Sequence, residues 1–428
     1  MCRPGRRTLS RIKPDRTVTA PRTRMRILIV TTYGFDPAFP SRPEQLQART
    51  LAARGHAVVA HEYLDRRYPG QSRRHEWLPG PVPVHRVTTL GFFSPESLLR
   101  LSGTDRPDII HLHHLRNLLG FQTVLVASQL RIPTVLTIHG LLHDGDLVSD
   151  RERPLEAPLR YDNIVTTPRQ LALQIARGAH PRRAVRNYLI HAPLLRVGHV
   201  IALSHAERAL LIRLGVNPKQ ISVLPNAVDL DAYSHTPPPV ASRPPLVLFI
   251  GQLVPRKGYD LLARAMPLVL RAAPTARFMF VSHNRNGEAD LRHIAAVGGV
   301  TSHLDIVGPV SEHEKIRLLH DAAVVAAPSR YEGFGIPLIE AMAAGAPVVT
   351  TDVMAGNEVI SHERTGLLVP YGHVEALAEA LIRLLNDRAL GARLAAAGRA
   401  EVFDRYRAET LTVHLEALYD RLIAEQAF

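Results

Sequence analysis

The chain has 428 residues, room at about 150 per domain for two or three domains, and its 46% hydrophobic residues supply ample material for packed cores. With 21% charged residues and no run of eighteen uncharged apolar residues, it reads as neither disordered nor membrane-spanning. The single cysteine, Cys2, excludes a disulfide framework and a cysteine-bound metal, and fits a reducing, cytoplasmic setting. The net charge of +13 suggests a polyanionic partner until it is partitioned: residues 1–24 carry eight basic residues against Asp15. Aromatics are only 5% and no basic-aromatic interleaving occurs, which disfavours nucleic acid.

Residues 1–24 read as a basic, disordered tail without the apolar segment of a secretory signal, and Met25 is a candidate natural start. From Met25, short β-branched runs alternate with helical stretches, the pattern of parallel sheets with crossover helices. Strands are predicted at 26–31, 57–60, 108–111, 134–139, 200–204 and 221–224, with helices at 44–54 and 118–130. These make a first domain, 25–228. Pro237, Pro238, Pro239, Pro244 and Pro245 then mark 229–245 as a linker, since such a cluster continues neither helix nor sheet. A second series, 246–408, has predicted strands at 246–250, 278–282, 304–307, 322–327 and 348–351. Residues 409–428 have helical apolar spacing and read as a terminal helix that crosses back to the first domain. The fold class is α/β, with two Rossmann-like, doubly wound parallel-sheet domains.

The informative stretch is Pro328 to Val349. Pro337 suits a first helical turn and Gly345 a stop, so a short helix is predicted over 337–344. Gly333 and Gly335 precede it, where a ligand can approach the backbone and helix amides can hold phosphate oxygens. Glu332 and Glu340 flank that anion site. Carboxylates there suit hydroxyls rather than phosphate, so the ligand has both phosphate and polyol parts, as a nucleotide sugar does.

Here the chain resembles the family-four retaining glycosyltransferases of the GT-B type. The resemblance rests on the glutamates eight apart around Gly-Phe-Gly. Further motifs follow in order from about Met25 to Phe403: Arg54-Gly55-His56, Asp108 to His111, Thr137-Ile138-His139-Gly140, Pro225 to Asp229, Gly251 to Gly258 and Thr365 to Val369. It implies two domains facing across a cleft that holds a nucleotide-diphosphate sugar. It also implies that Lys257 pairs with the diphosphate, that the amides around Gly333, Phe334 and Gly335 hold its oxygens, and that Glu332 accepts from sugar hydroxyls. Glu340 accepts from the ribose, and His139 stands beside the transferred sugar. On that reading Lys257, Glu332 and His139 carry catalysis, with the leaving phosphate taking the acceptor's proton.

Three departures matter, one of them Ser282-His283-Asn284-Arg285 in place of the glycine-containing turn after the second strand of the second domain. Gly251-Gln252 stands where the family has Gly-Arg, so one diphosphate cation is missing and Arg256 is its expected substitute. Ser41-Arg42-Pro43-Glu44 replaces a glycine pair, which makes Arg42, with His111, an expected acceptor contact. Alternatives on the same fold are an epimerase, a phosphorylase, or a non-catalytic partner subunit; a dehydrogenase is disfavoured because no Gly-x-Gly-x-x-Gly follows the first strand.

His111, His113 and His114 invite a metal reading, but no carboxylate or cysteine set near them in sequence completes a site, and Asp144 and Asp146 read as turn residues. No metal or cofactor is expected. Arginines between Arg169 and Arg196, with no acidic residue from 163 to 206, read as a basic amphipathic face suited to an anionic membrane surface or a lipid-linked acceptor; glycan and small-molecule acceptors stay open. The expected location is cytoplasmic, at the inner face of the membrane if that surface is used.

Overall fold

The computed structural model describes residues 24–32, 35, 41–63, 74–77, 82–88, 93–101, 103, 106–116, 119–140 and 164–426. Residues 1–23 of the basic tail and Asp144 to Asp146 lie outside them. The described residues form two compact units, one running to Ala227 and including the C-terminal helix Ala408–Gln426, the other Val228–Arg407.

The first unit is built on β1 (Arg26–Thr31), α1 (Pro43–Ala53), β2 (Ala57–Tyr63), β3 (Arg74–Trp77), β4 (Val82–Val87), α2 (Pro95–Leu101), β5 (Ile109–His113), α3 (Gly120–Gln129), β6 (Thr134–Thr137), α4 (Pro168–Ala176), α5 (Pro181–His191), β7 (His199–Ala202), α6 (His205–Arg213) and β8 (Ile221–Val223). The sheet order is β3-β4-β2-β1-β5-β6-β7-β8, parallel except for the β3–β4 pair. From Ile27 onward β1 is buried on both faces, as parallel strands between helical layers must be. The chain moves one way from β1 to β2 and the other way from β5 to β6, so right-handed crossovers set α1 and α3 on opposite faces. On the α1 face the C-terminal helix packs Leu415, Leu418 and Tyr419 into the core with Ile27, Ile29, Leu51 and Val135. Strands β3 and β4 were not expected. Pro83 inside β4 is a breaker signal, tolerated because the parallel pairing with β2 begins only at Val84, so the proline's missing donor falls outside that ladder.

The second unit contains β9 (Leu246–Ile250), α7 (Tyr259–Ala272), β10 (Arg277–Val281), α8 (Glu288–Val297), β11 (Leu304–Val307), α9 (Glu312–Asp321), β12 (Val324–Ala327), α10 (Ile336–Ala343), β13 (Val348–Thr351), α11 (Gly356–Val359), β14 (Leu367–Val369), α12 (Val374–Asn386) and α13 (Arg388–Arg405). Its parallel sheet runs β11-β10-β9-β12-β13-β14. Strand β9 lies between β10 and β12, so the direction of winding reverses at the β9/β12 junction. Ligands of open α/β sheets bind at the carboxyl ends of strands at such a point.

The proline segment read as a linker is built into this second unit. Val240 is buried, Arg243 donates to the Ala322 carbonyl at 3.1 Å, and Arg399 donates to the Tyr233 and His235 carbonyls at 2.8 and 3.2 Å. A hollow of about 400 Å³ follows these prolines and α13, and none of the expected site residues lines it. Among the described residues no helix is long and apolar enough to cross a membrane.

Candidate active site

In the second unit, two loops leave the carboxyl ends of the strands at the reversal point: 251–258 after β9 and 328–335 after β12. They are pinned together. The Arg330 amide donates to the Arg256 carbonyl at 2.8 Å, and Gly258, at φ 68°, passes so close to Pro328 that a Cβ there would lie 1.9 Å from its carbonyl oxygen. Only glycine fits both the left-handed backbone and the contact. The consequence is an ion pair from Lys257 Nζ to Glu332 Oε2 at 2.6 Å, each side chain 16% exposed, with Ser329 Oγ donating to the same oxygen at 3.4 Å.

Helix α10 begins just beyond, at Gly335 with φ 96°, and no side chain caps it. Pro337 has no N–H, and the Leu338 and Ile339 amides are both given to the Gly335 carbonyl, at 2.9 and 3.2 Å, so this helix start offers the loop that carries Glu332 and Gly333 its dipole and the backbone around Gly335. Phe334 turns inward against Tyr406, ring centroids 5.8 Å apart, so this position offers backbone rather than side chain. Gln252 Oε1 accepts from Arg256 Nη2 at 3.1 Å and Gln252 Nε2 lies 3.2 Å from His283 Nε2. Arg256 thus sits beside the place where the arginine is missing. Glu340 is buried and accepts from Lys315 Nζ at 2.7 Å, a partner that the sequence reading did not name.

In the first unit the expected strand 134–139 ends at Thr137, and His139 follows in a left-handed turn (φ 56°) with Gly140 (φ 99°). A histidine held at positive φ stores strain, a common property of functional sites. Its ring stacks on His113 at 5.1 Å and tilts over His114 at 4.6 Å; His139 Nε2 lies 2.8 Å from His113 Nδ1, and Nδ1 lies 3.4 Å from Asn226 Nδ2. Burial, with His114 and His111 close by, holds His139 well below the usual imidazole range, so it is neutral at physiological pH.

His111 requires correction. It is fully buried, Nδ1 lies 2.5 Å from the Tyr419 hydroxyl and Nε2 2.7 Å from Thr137 Oγ1, so it has no surface to offer an acceptor. Strand alternation correctly put His111 and His113 on one face, but both faces of an inner strand are covered. Arg42, half-buried, closes the start of α1 with its carbonyl, which accepts from the Gln45 and Leu46 amides. The carboxylate missing beside the histidines in sequence is supplied by the fold: Glu44 Oε1 lies 3.7 Å from His114 Nε2, and Glu44, His114 and His139 bring one ligating atom each within 4.8 Å of one another.

With this geometry in place, comparison with known proteins is decisive for the family. A family model described as "Glycosyltransferase Family 4" matches residues 46–232 and one described as "Glycosyl transferases group 1" matches 244–387, together more than half of the chain. The chain belongs to the family-four glycosyltransferases. Among its relatives, the phosphatidyl-myo-inositol mannosyltransferase of Mycobacterium leprae is 36% identical over 229 residues, a match covering 52% of this chain and 59% of that relative. A GDP-mannose-dependent monoacylated α-(1-6)-phosphatidylinositol monomannoside mannosyltransferase of Corynebacterium glutamicum is 27% identical over 72% of this chain and 86% of its own length. Among solved structures, sucrose-phosphate synthase of Thermosynechococcus elongatus superimposes with a TM-score of 0.69 over 94% of this chain and all of its own, at 23% identity. Anabaena HepE in complex with UDP-glucose superimposes with the same score over 93% of this chain and all of its own, at 19% identity. The fold of this glycosyltransferase chain is GT-B, with its two parallel-sheet α/β domains.

Glu44, Lys315, Asn226 and Tyr419 were absent from the expected site. Asn226 had a signal inside the Pro225 to Asp229 motif, and Glu44 one inside Ser41-Arg42-Pro43-Glu44. Tyr419 lies 308 residues from His111 and could be placed only by the fold.

Proposed function

We propose that the protein is a retaining, metal-independent glycosyltransferase that moves a sugar from a nucleotide-diphosphate donor to an acceptor hydroxyl. The observation that carries this is the Lys257–Glu332 pair on the two loops at the β9/β12 reversal, directly before the uncapped start of α10. A cation, the backbone amides around Gly335 at a helix start and a carboxylate there match the diphosphate and polyol parts of one ligand. Lys257 and the amides would stabilise charge building on the leaving diphosphate, Arg256 would stand in for the arginine replaced by Gln252, and Glu332 would orient the sugar. Neutral His139 would border the transferred sugar without serving as a cation.

The donor we favour is GDP-mannose and the acceptor a phosphatidylinositol-based lipid, because a relative matching 72% of the chain is named GDP-mannose-dependent and both relatives are named as mannosyltransferases of phosphatidylinositol-type acceptors. A membrane-facing surface is consistent with this. Helix α4 buries none of its residues although it carries Leu171, Leu173 and Ile175, while Arg169, Arg177, Arg182, Arg183 and Arg186 are exposed on it and on α5. Anionic lipid would cover the apolar side chains and pair with the arginines.

The test is transfer of radiolabelled mannose from GDP-mannose to phosphatidylinositol vesicles in excess chelator, against UDP-glucose as the competing donor and free inositol as the competing acceptor. Transfer with an α-anomeric product by NMR is expected. Donor binding with neither transfer nor hydrolysis would leave the partner-subunit reading, and strict dependence on added metal would overturn the metal-free mechanism.

A further inference from the structure

The ribose assignment of Glu340 meets an electrostatic difficulty. Its residue is 6% exposed, and burial pushes its carboxyl above the usual carboxylate range. A protonated carboxyl would have one oxygen tied up as a donor and would be a poor acceptor for two ribose hydroxyls. Lys315, on α9, opposes that shift. Its ammonium bridges Glu340 Oε1 and Glu312 Oε1, both at 2.7 Å. Burial alone would lower the lysine, but the two carboxylates more than offset it and leave its pKa raised, so the bridge stays charged. Among the described residues no other hydrogen bond reaches the Glu340 carboxylate, so Lys315 occupies one oxygen and leaves Oε2 as an acceptor. Tyr233 also feels Glu340 and Glu312; burial first, then those carboxylates and Asp229, hold its phenol well above its ordinary value, so it stays neutral throughout.

We propose that Lys315 is a positioning residue for the donor nucleoside: it keeps Glu340 ionised and rotated so that Oε2 faces the ribose diol, with Glu312 anchoring the lysine from the same helix. This rests on the assignment of Glu340 to the ribose in the function proposed above. The role is electrostatic and orientational, and nothing passes from Lys315 to the ligand. A charged acceptor held this way distinguishes a ribose from a sugar that lacks the hydroxyls, because only the ribose satisfies the desolvated oxygen.

The experiment is calorimetric binding of GDP, UDP and their 2′,3′-dideoxy analogues to the full chain and to Lys315→Met, Lys315→Arg and Glu340→Gln. The wild type should prefer the ribose form of its nucleotide by about tenfold or more. Lys315→Met should lose that preference near neutral pH and regain part of it as pH rises and Glu340 ionises unaided, while dideoxy affinity stays at the wild-type level and reports an intact fold. Lys315→Arg should keep most of the preference. If Lys315→Met does not fold, Lys315→Gln takes its place. Full preference in the neutral variant, with the preference lost in Glu340→Gln, overturns the role of Lys315 alone. Full preference in Glu340→Gln, or no ribose preference in the wild type, overturns the ribose assignment beneath it.

Discussion

The two units prepare their chemistry in opposite ways. The Val228–Arg407 unit keeps its polar groups charged and pairs them: Lys257 with Glu332, Lys315 with Glu340 and Glu312. The other unit gathers His111, His113, His114 and His139 and leaves three of them neutral by burial. A charged ligand has to be met by charges whose desolvation is offset beforehand, and internal ion pairs do that until the ligand displaces or joins them. A neutral hydroxyl beside a reacting sugar needs shape and hydrogen-bonding edges, and imidazoles without charge supply those without a competing counter-ion. The same fold, used twice, has been filled with two kinds of electrostatics.

Acidification should break this symmetry most strongly. His61 and His111, both buried in the first unit, are pushed down to about 3, in each case first by burial. Their pKa is depressed on folding, so they contribute stability above the unfolded value of about 6.5 and lose it as pH falls toward the folded value. Each loses about 1.4 kcal/mol per pH unit below 6.5, so at pH 5 the pair costs about 4 kcal/mol. Thermal unfolding followed from pH 7.5 to 5 is expected to separate into two steps, with the histidine-bearing unit first. A single step that barely moves would refute the neutral-histidine account.

The loop contact that creates the paired site comes next. Gly258→Ala would place a methyl into the Pro328 carbonyl and force a left-handed alanine, costing about 3 kcal/mol or more. The loss should appear in chemical denaturation as a shift of the Val228–Arg407 transition only. Slightly smaller is the expected effect of removing either member of the pair. Lys257→Ala and Glu332→Ala should each lower kcat/KM about a hundredfold, or about 2.7 kcal/mol, with circular dichroism unchanged; wild-type rates in either variant would remove these residues from the chemistry. Smallest is the cap of α4, where Thr167 Oγ1 accepts from the Gln170 amide at 3.2 Å and the Gln170 side chain accepts back from the Thr167 amide at 3.1 Å. Thr167→Ala should cost about 1 kcal/mol. Because this helix buries nothing, hydrogen exchange in residues 168–176 should rise while the global midpoint hardly changes.

Much of this was legible in the residues. Strands β1, β9, β11 and β13 begin and end where the apolar runs do, and the helix after Gly335 starts and stops within one residue of the span marked by Pro337 and Gly345. Strand β14, three residues inside the Thr365 to Val369 motif, was too short for periodicity to register as a strand. The paired loops were legible as a site because glycine, proline and charge occur together there in an order with few other uses. His111 was misjudged as an acceptor contact for a definite reason: alternation tells which side chains share a face, not whether another element covers it.

Sequence by itself determined the class of fold, the place of the glycine-flanked helix start and the identity of its charges, because these depend on local backbone preferences and on residues within a few positions of one another. Only the tertiary structure decided which charges are already paired, which histidines are buried beyond reach, and that Glu44 meets His114 and Lys315 meets Glu340. Those outcomes depend on burial and on partners brought together by the packing of separate elements, and a side chain's charge state follows its surroundings rather than its neighbours in the chain.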